Sequence, residues 1–187
     1  MEKQHPKEAL IAEKALQLFL RHGYPKVTIG DIALAAKISR PSLYAAFENK
    51  ERILDAILRD QADQNEMRLK QASRSVRKLQ SRMELLFSIW IVEPVAAVFD
   101  QENARDLVNN CAVYAPAGVE ALYERFEANL REILETGATR KPSGVSLKDS
   151  AHILSMAARG LKATTKDVAE LKRLVAGLIS ITVAALE

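Results

Sequence analysis

The chain has 187 residues, 48% of them hydrophobic, and a formal net charge of +3; that length suits one sizeable domain or two small ones, and the apolar fraction excludes a disordered chain. A single cysteine, Cys111, excludes an intramolecular disulfide, and the polar N-terminus and the lack of any apolar run near the roughly 20 residues of a membrane span make a cytoplasmic protein the expectation. The first fifty residues carry eight Lys and Arg against five Asp and Glu, and the remainder nineteen of each sign, so the whole positive excess lies where a nucleic-acid footprint would use it.

Helical periodicity dominates and no run alternates as a strand would. In the first helix Ile11, Ala15, Leu18 and Phe19 form one stripe, Gly23 supplies a left-handed stop and Pro25 prevents re-entry. Thr28 caps a second helix, completing a capping box with Asp31, and Ile29, Ile32, Ala33 and Ala36 give it a buried face. Ser39 caps a third helix with Pro41 in its first turn, and Ile38 and Leu43 pair as a hydrophobic staple. Asn49 caps a fourth, apolar through Ile53, Leu54, Ile57 and Leu58 and polar from Gln61 to Lys70, as an exposed connector would be.

Further on, a helix from about Val76 to Val92 carries Leu79, Met83, Leu86, Phe87 and Trp90 before Pro94 interrupts it. Asp100 is placed to cap the next, with Ala104, Leu107, Val108 and Cys111 inside and Pro116 and Gly118 ending it. Val119, Leu122, Phe126 and Ile133 mark another, closed by Gly137, and residues 137–144 read as a loop. Ser146 with Asp149, and Thr164 with Asp167, read as capping boxes opening the last two helices. The final helix is apolar around much of its girth, so it must bury more than one side: against its own domain, and against a partner subunit or, alternatively, the rest of a monomeric bundle.

The segment from Thr28 to Lys50 thus holds two short helices joined by a tight turn, with Arg40, Ser39, Ser42 and Tyr44 at the start of the second. A helix-turn-helix needs that arrangement to bring one helix end into the DNA major groove. Leu10 to Leu58 resembles the N-terminal domain of the TetR family of bacterial transcriptional regulators. The resemblance is carried by Ile11, Ala15, Leu18-Phe19, His22-Gly23-Tyr24, Thr28, Asp31-Ile32-Ala33, Ala36, Ile38-Ser39, Leu43-Tyr44, Phe47, Asn49-Lys50 and Leu54, over about a quarter of the chain. It implies an all-α homodimer. An N-terminal three-helix helix-turn-helix DNA-binding domain, residues 1–50, would be joined to a C-terminal helical domain, residues 51–187, that binds a small-molecule effector and dimerises through its last two helices. Leu154, Leu161, Leu171, Val175, Leu178, Ile179 and Thr182 are the expected dimerisation residues.

The expected DNA-binding residues are Thr28, Lys37, Ser39, Arg40, Pro41, Ser42, Tyr44, Ala45 and Lys50. Leu43 and Phe47 lie one turn apart and face the core; Pro41, Ser42 and Ala45 take the outward arc, edged by Arg40 and Tyr44. Arg40 suits guanine O6 and N7, with a phosphate contact or an ion pair as its other use. Tyr44 either offers its hydroxyl to a phosphate or is a core tyrosine. Thr28 and Lys50 stand at helix starts, where phosphates are held, although both also fit capping or solvent roles. Lys37 takes a turn position where the family usually has glycine, at a cost of about 1 kcal/mol if left-handed. Ala45 and Ala46 give up polar reach but permit contact with a thymine methyl.

In the second domain Met83, Phe87, Trp90, Phe99, Cys111, Tyr114, Tyr123, Phe126, His152 and Met156 are the expected effector-binding residues, each equally suited to plain core packing. No Arg or Lys cluster stands among them, so a neutral or weakly polar, drug-sized hydrophobic effector is expected, stacked on Trp90 or Phe87. His152 has no serine, cysteine or carboxylate placed beside it by spacing, and Glu120, Glu124 and Glu127 read as solvated charge. With no metal-ligand cluster or glycine-rich phosphate loop, no cofactor and no catalysis are expected. The sequence therefore points to a one-component transcriptional regulator, a repressor by preference over an activator. It would bind a palindromic double-stranded DNA operator as a homodimer, engage no membrane and be released by a small hydrophobic effector. The rival is an all-helical ligand-binding or enzymatic domain with a vestigial DNA head.

Overall fold

Hydrogen-bonding side chains fix where five of the α-helices begin. A computed structural model of the chain describes residues 6–140 and 144–187, and among these the regular structure is helical, with no strand. The order is α1 (Pro6–His22), a 3-10 turn (Tyr24–Lys26), α2 (Ile29–Ala35), α3 (Arg40–Tyr44), α4 (Lys50–Ala72), a second 3-10 turn (Ser73–Ser75), α5 (Leu79–Phe87), a π-helical stretch (Ser88–Val92), α6 (Glu93–Val98), α7 (Glu102–Tyr114), α8 (Pro116–Gly137), α9 (Leu147–Thr164) and α10 (Val168–Leu186). Gly23 ends α1 with φ +86°. Thr28 and Asp31 exchange both bonds of a capping box, the Asp31 amide donating to Thr28 Oγ1 at 3.2 Å and the Thr28 amide to Asp31 Oδ2 at 2.8 Å. Ser39, Asn49 and Ser146 accept from the amides of Ser42, Arg52 and Asp149.

Four expected boundaries fall elsewhere, each for a backbone reason. Pro94 does not interrupt its helix: the Glu93 amide bonds back five residues to Ser88, and this wider π register before the proline accommodates a ring that would clash in a regular α-helix. Asp100 is not a cap, because α7 begins after an extended Gln101 that makes no side-chain cap bond. Pro116 and Gly118 do not end α7; Pro116 opens α8, where its missing amide proton costs nothing. Thr164 is the last residue of α9, and α10 is capped instead by Asp167, which accepts from the Glu170 amide at 2.7 Å while Glu170 accepts from the Lys166 amide at 2.8 Å. Of the expected 137–144 loop, Lys141, Pro142 and Ser143 lie outside the described residues; Thr139 and Arg140 donate their amides to the Leu186 carbonyl at the end of α10.

By contacts the chain forms two units, residues 1–61 with 100–122, and residues 62–99 with 123–187. This grouping differs from a division at residue 50. In the first unit Ile11, Phe19, Ile32, Leu43, Ile53 and Leu54 are buried together with Leu107 and Ala115. There α7 packs on α1: Asn103 Nδ2 donates to the Arg21 carbonyl at 2.8 Å, and Tyr114 stacks on Tyr24 with centroids 4.3 Å apart. Gly118 lies against α4, where an added Cβ would stand 2.5 Å from Asp55 Oδ1 and 3.0 Å from the Asp55 Cα. In the second unit the buried residues include Leu79, Leu86, Ile91, Leu130, Leu134 and Leu171. Because backbone as well as side chain blocks the added methyl, Gly118→Ala is expected to destabilise the protein by about 1–3 kcal/mol, read as a lower midpoint in chemical denaturation.

Candidate nucleic-acid interface

The turn between α2 and α3 is a Schellman closure. Lys37, at φ +56°, donates its amide to the Leu34 carbonyl at 3.1 Å, and the next amide, Ile38, reaches back to Ala33 at 3.0 Å. The left-handed cost expected at Lys37 is therefore incurred, and the turn aims α3 so that Leu43 is fully buried while Arg40, Pro41, Tyr44 and Ala45 are exposed. Tyr44 is 55% exposed, which sets aside a core role. Thr28, Lys37 and Ser39 are exposed too; Ser42 and Lys50 are half-buried.

Besides Ser39, whose hydroxyl caps α3, three of these side chains are already engaged. Lys50 Nζ donates to the carbonyls of Tyr24 at 2.7 Å and Val27 at 3.0 Å and lies 4.2 Å from the centre of the Tyr24 ring. It therefore clips the α1–α2 connection shut instead of projecting toward a phosphate; burial lowers its pKa. Burial foremost, with Glu51 and Asp55, pushes the Tyr24 hydroxyl up to about 12. The Thr28 hydroxyl donates to Asp31 Oδ2 at 2.7 Å and so is occupied by its capping box. Hydrogen bonds from Thr28 hold the Asp31 carboxyl below the usual carboxylate range, with Arg40 and His22 adding to the effect. Arg40 folds over Gly30, where a Cβ would come 2.5 Å from its Nη2. That role of Gly30 was missed from sequence; its signal was a glycine in the first turn of a short helix, where alanine would serve the helix better.

The expected effector residues do not converge on one place. Met83, Phe87, Trp90, Tyr123 and Phe126 are buried in the second unit, where Phe126 meets Phe87 at 5.4 Å, Trp90 at 6.1 Å and Tyr123 at 6.4 Å between centroids. Phe99 is half-buried in that unit. Cys111 and Tyr114 instead belong to the first unit, because the apolar face of α7 that carries them is covered there. His152 and Met156 are exposed on α9, and His152 Nδ1 lies 3.0 Å from Glu127 Oε2, a carboxylate that linear spacing did not place beside it. Sequence reasoning also missed a cleft of about 390 Å³ in the second unit whose polar lining includes Glu66, Lys70, Arg82 and Asn129. Beside it Arg125 bonds Glu66 at 2.8 and 2.6 Å and Asp63 at 2.7 Å, which raises its pKa further.

Of the expected dimerisation residues, Leu154, Leu171, Val175 and Ile179 are buried within the single chain, so the regular 3–4 stripe marks an internal seam. Leu161, Leu178 and Thr182 are half-buried, and the large apolar side chains exposed on these helices are Ile153, Met156 and Ile181. Among the described residues no group of three His, Cys, Asp or Glu could hold a metal, and no helix is long and apolar enough to cross a membrane.

The family model for bacterial regulatory proteins of the tetR family matches residues 11–57. Over that stretch the chain is similar to the tetR family of bacterial regulators. All nine expected DNA-contact positions lie within that TetR match. The HTH-type transcriptional repressor ComR of Escherichia coli is 41% identical over 46 residues, 25% of this chain and 22% of that repressor, so the likeness to ComR is confined to the head. The fold of the whole chain is shared with the fatty acid degradation regulator FadR from Bacillus halodurans, with a TM-score of 0.71 and 15% identity over 95% of this chain and 96% of that one. A transcriptional regulator from Saccharomonospora viridis, solved in complex with choline, has a TM-score of 0.68 and 21% identity over 95% and 97% of the two chains.

Because the Asp31 pKa is lowered in the folded state, the capping box contributes stability above the unfolded carboxylate value of about 3.9 and loses it as pH falls through the folded value. Protection of the α2 amides in hydrogen exchange should fall in that acid window, and Thr28→Ala, at a cost of about 0.5–2 kcal/mol, should weaken α2 already at neutral pH.

Proposed function

We propose that the chain is a one-component transcriptional repressor that binds a palindromic operator as a two-fold dimer and is released by a small effector held in the second unit. The observation that carries this reading is the exposed arc of α3, with Arg40, Pro41, Tyr44 and Ala45 presented by the Schellman turn above a fully buried Leu43. Arg40 reads a guanine edge once it lifts from Gly30, Tyr44 supplies a phosphate contact through its hydroxyl, and Ala45 leaves room for a thymine methyl. Lys50 contributes by holding the α1–α2 connection.

Ile153, Met156 and Ile181 support the dimer, since exposed apolar side chains on α9 and α10 are suited to the same helices of a second copy. Two heads so joined must present their α3 helices about 34–36 Å apart to meet successive major grooves. An effector that favours a different spacing by several kcal/mol empties the operator. The choline complex of the Saccharomonospora regulator supports a small-molecule effector in principle.

Fluorescence anisotropy on the DNA upstream of the chain's own coding region tests the head. Arg40→Ala should cost about 1–3 kcal/mol and relax preference at one base pair per half-site, and Tyr44→Phe should weaken all sequences alike. Lys50→Ala should lower thermal stability and leave the salt dependence of binding unchanged; a slope smaller by about one would return Lys50 to the phosphate backbone. For assembly, light scattering should give twice the 20.7 kDa chain mass, and Ile181→Glu should give a folded monomer. A wild type that runs as a monomer at micromolar concentration would refute the dimer.

A further inference from the structure

In the first turn of α2, the space that a side chain at Gly30 would fill is taken by a neighbour. The three heavy atoms nearest an added Cβ all belong to Arg40: Nη2 at 2.5 Å, Cζ at 3.1 Å and Nε at 3.1 Å. The guanidinium therefore lies on the bare backbone of α2. Conformation does not explain the glycine, because the positive-φ glycines are Gly23 and Gly144, and alanine would serve a helix better.

This seat holds Arg40 lightly. Arg40 remains exposed, and the unpaired amides of a helix's first turn repel a cation. Asp31, beside Gly30, offsets the repulsion: its carboxyl, held down first by hydrogen bonds from Thr28, is lowered further by the Arg40 charge. A guanidinium so placed can leave at little cost and return.

We propose that Gly30 is a specificity-determining residue: it gives Arg40 a place to retreat, so that the regulator accepts operators in which the base pair facing Arg40 carries no guanine. This rests on the proposed reading of α3 as the DNA-facing helix. Opposite a guanine, Arg40 lifts and donates to O6 and N7. Opposite any other pair, an arginine confined to the groove leaves donors without acceptors, a penalty that rejects the wrong base. Retreat onto Gly30 removes that penalty, so a mismatch forfeits the guanine bonds and nothing more. A side chain at position 30 closes the retreat. Gly30→Ala should therefore sharpen recognition instead of weakening it.

Duplexes that the full-length wild type selects from a randomised pool supply the operator, and fluorescence anisotropy compares the selected guanine with its replacements. The added methyl displaces only the end of a flexible side chain, so Gly30→Ala should melt no lower than wild type. It should raise the penalty for replacing that guanine by about three- to tenfold and leave the preferences at other pairs as they are. In the Arg40→Ala background the same change should do nothing. A penalty unchanged or reduced by Gly30→Ala overturns the proposal. So does a change that survives Arg40→Ala, which would assign Gly30 a DNA contact of its own. The seat is also read without DNA, from the heteronuclear NOE of the Arg40 Nε–H, identified by its loss in Arg40→Ala. This value should be high in wild type and fall in Gly30→Ala; equal values overturn the seat. A seated Arg40 in a wild type that selects no sequence refutes the proposed function and the specificity role with it. Sequence selection with an unaltered penalty refutes the specificity role alone.

Discussion

The ammonium of Lys50 holds the first unit in its geometry. The connection between α1 and α2 has no regular ladder to satisfy its carbonyls, and Lys50, the first residue of α4, reaches back to bond those of Tyr24 and Val27. A charge-assisted bond to a half-buried carbonyl is stronger than a neutral one, and two share this nitrogen. The same ammonium lies over the Tyr24 ring, which in turn stacks on Tyr114 of α7. One side chain therefore fixes the end of α1, the start of α2, the start of α4 and the seat of α7. The helix-turn-helix can expose so much of its short α3 because its frame is closed from behind.

On that frame the exposed arc of α3 depends on a strained residue. Lys37 accepts the left-handed region that glycine would occupy freely, and two amide bonds from the turn to α2 hold it there. The capping box of Thr28 and Asp31 begins the same helix that the Schellman turn ends, so the seven residues of α2 are closed at both termini. Isolated, a helix that short has no stability of its own; between two satisfied ends, with Ile32 and Ala33 in the core, it becomes a fixed lever for α3.

The head was the most legible part of the sequence because its signals are local. Thr28, Asp31, Ser39, Pro41 and Asn49 act within three or four residues of themselves, and each does what its spacing implies. The carbonyl bonds of Lys50 are not legible in the sequence, because its partners lie 23 and 26 residues away. The same limit explains the second unit: periodicity shows that Cys111, Tyr114 and Met83 each lie on an apolar face, but not that α7 turns its face to the head while α5 does not. His152 and Glu127 meet across 25 residues, which no pattern within one helix encodes. The stripe of Leu171, Val175 and Ile179 is legible as apolar, but a regular stripe does not say whose side chains cover it, and here the chain's own do.

The π-helical stretch has a consequence for how this chain tolerates change in length. A π turn holds one residue more than the α turn it replaces, so the helix from Leu79 to Val98 carries an insertion that its neighbours have absorbed. Deleting one residue between Ser88 and Val92 would let the stretch close into an ordinary α turn with α5 and α6 still in line, and would set the Pro94 ring against the carbonyl four residues before it. The extra residue and the proline are thus coupled: a chain one residue shorter here would keep its helix straight only by giving up Pro94 as well.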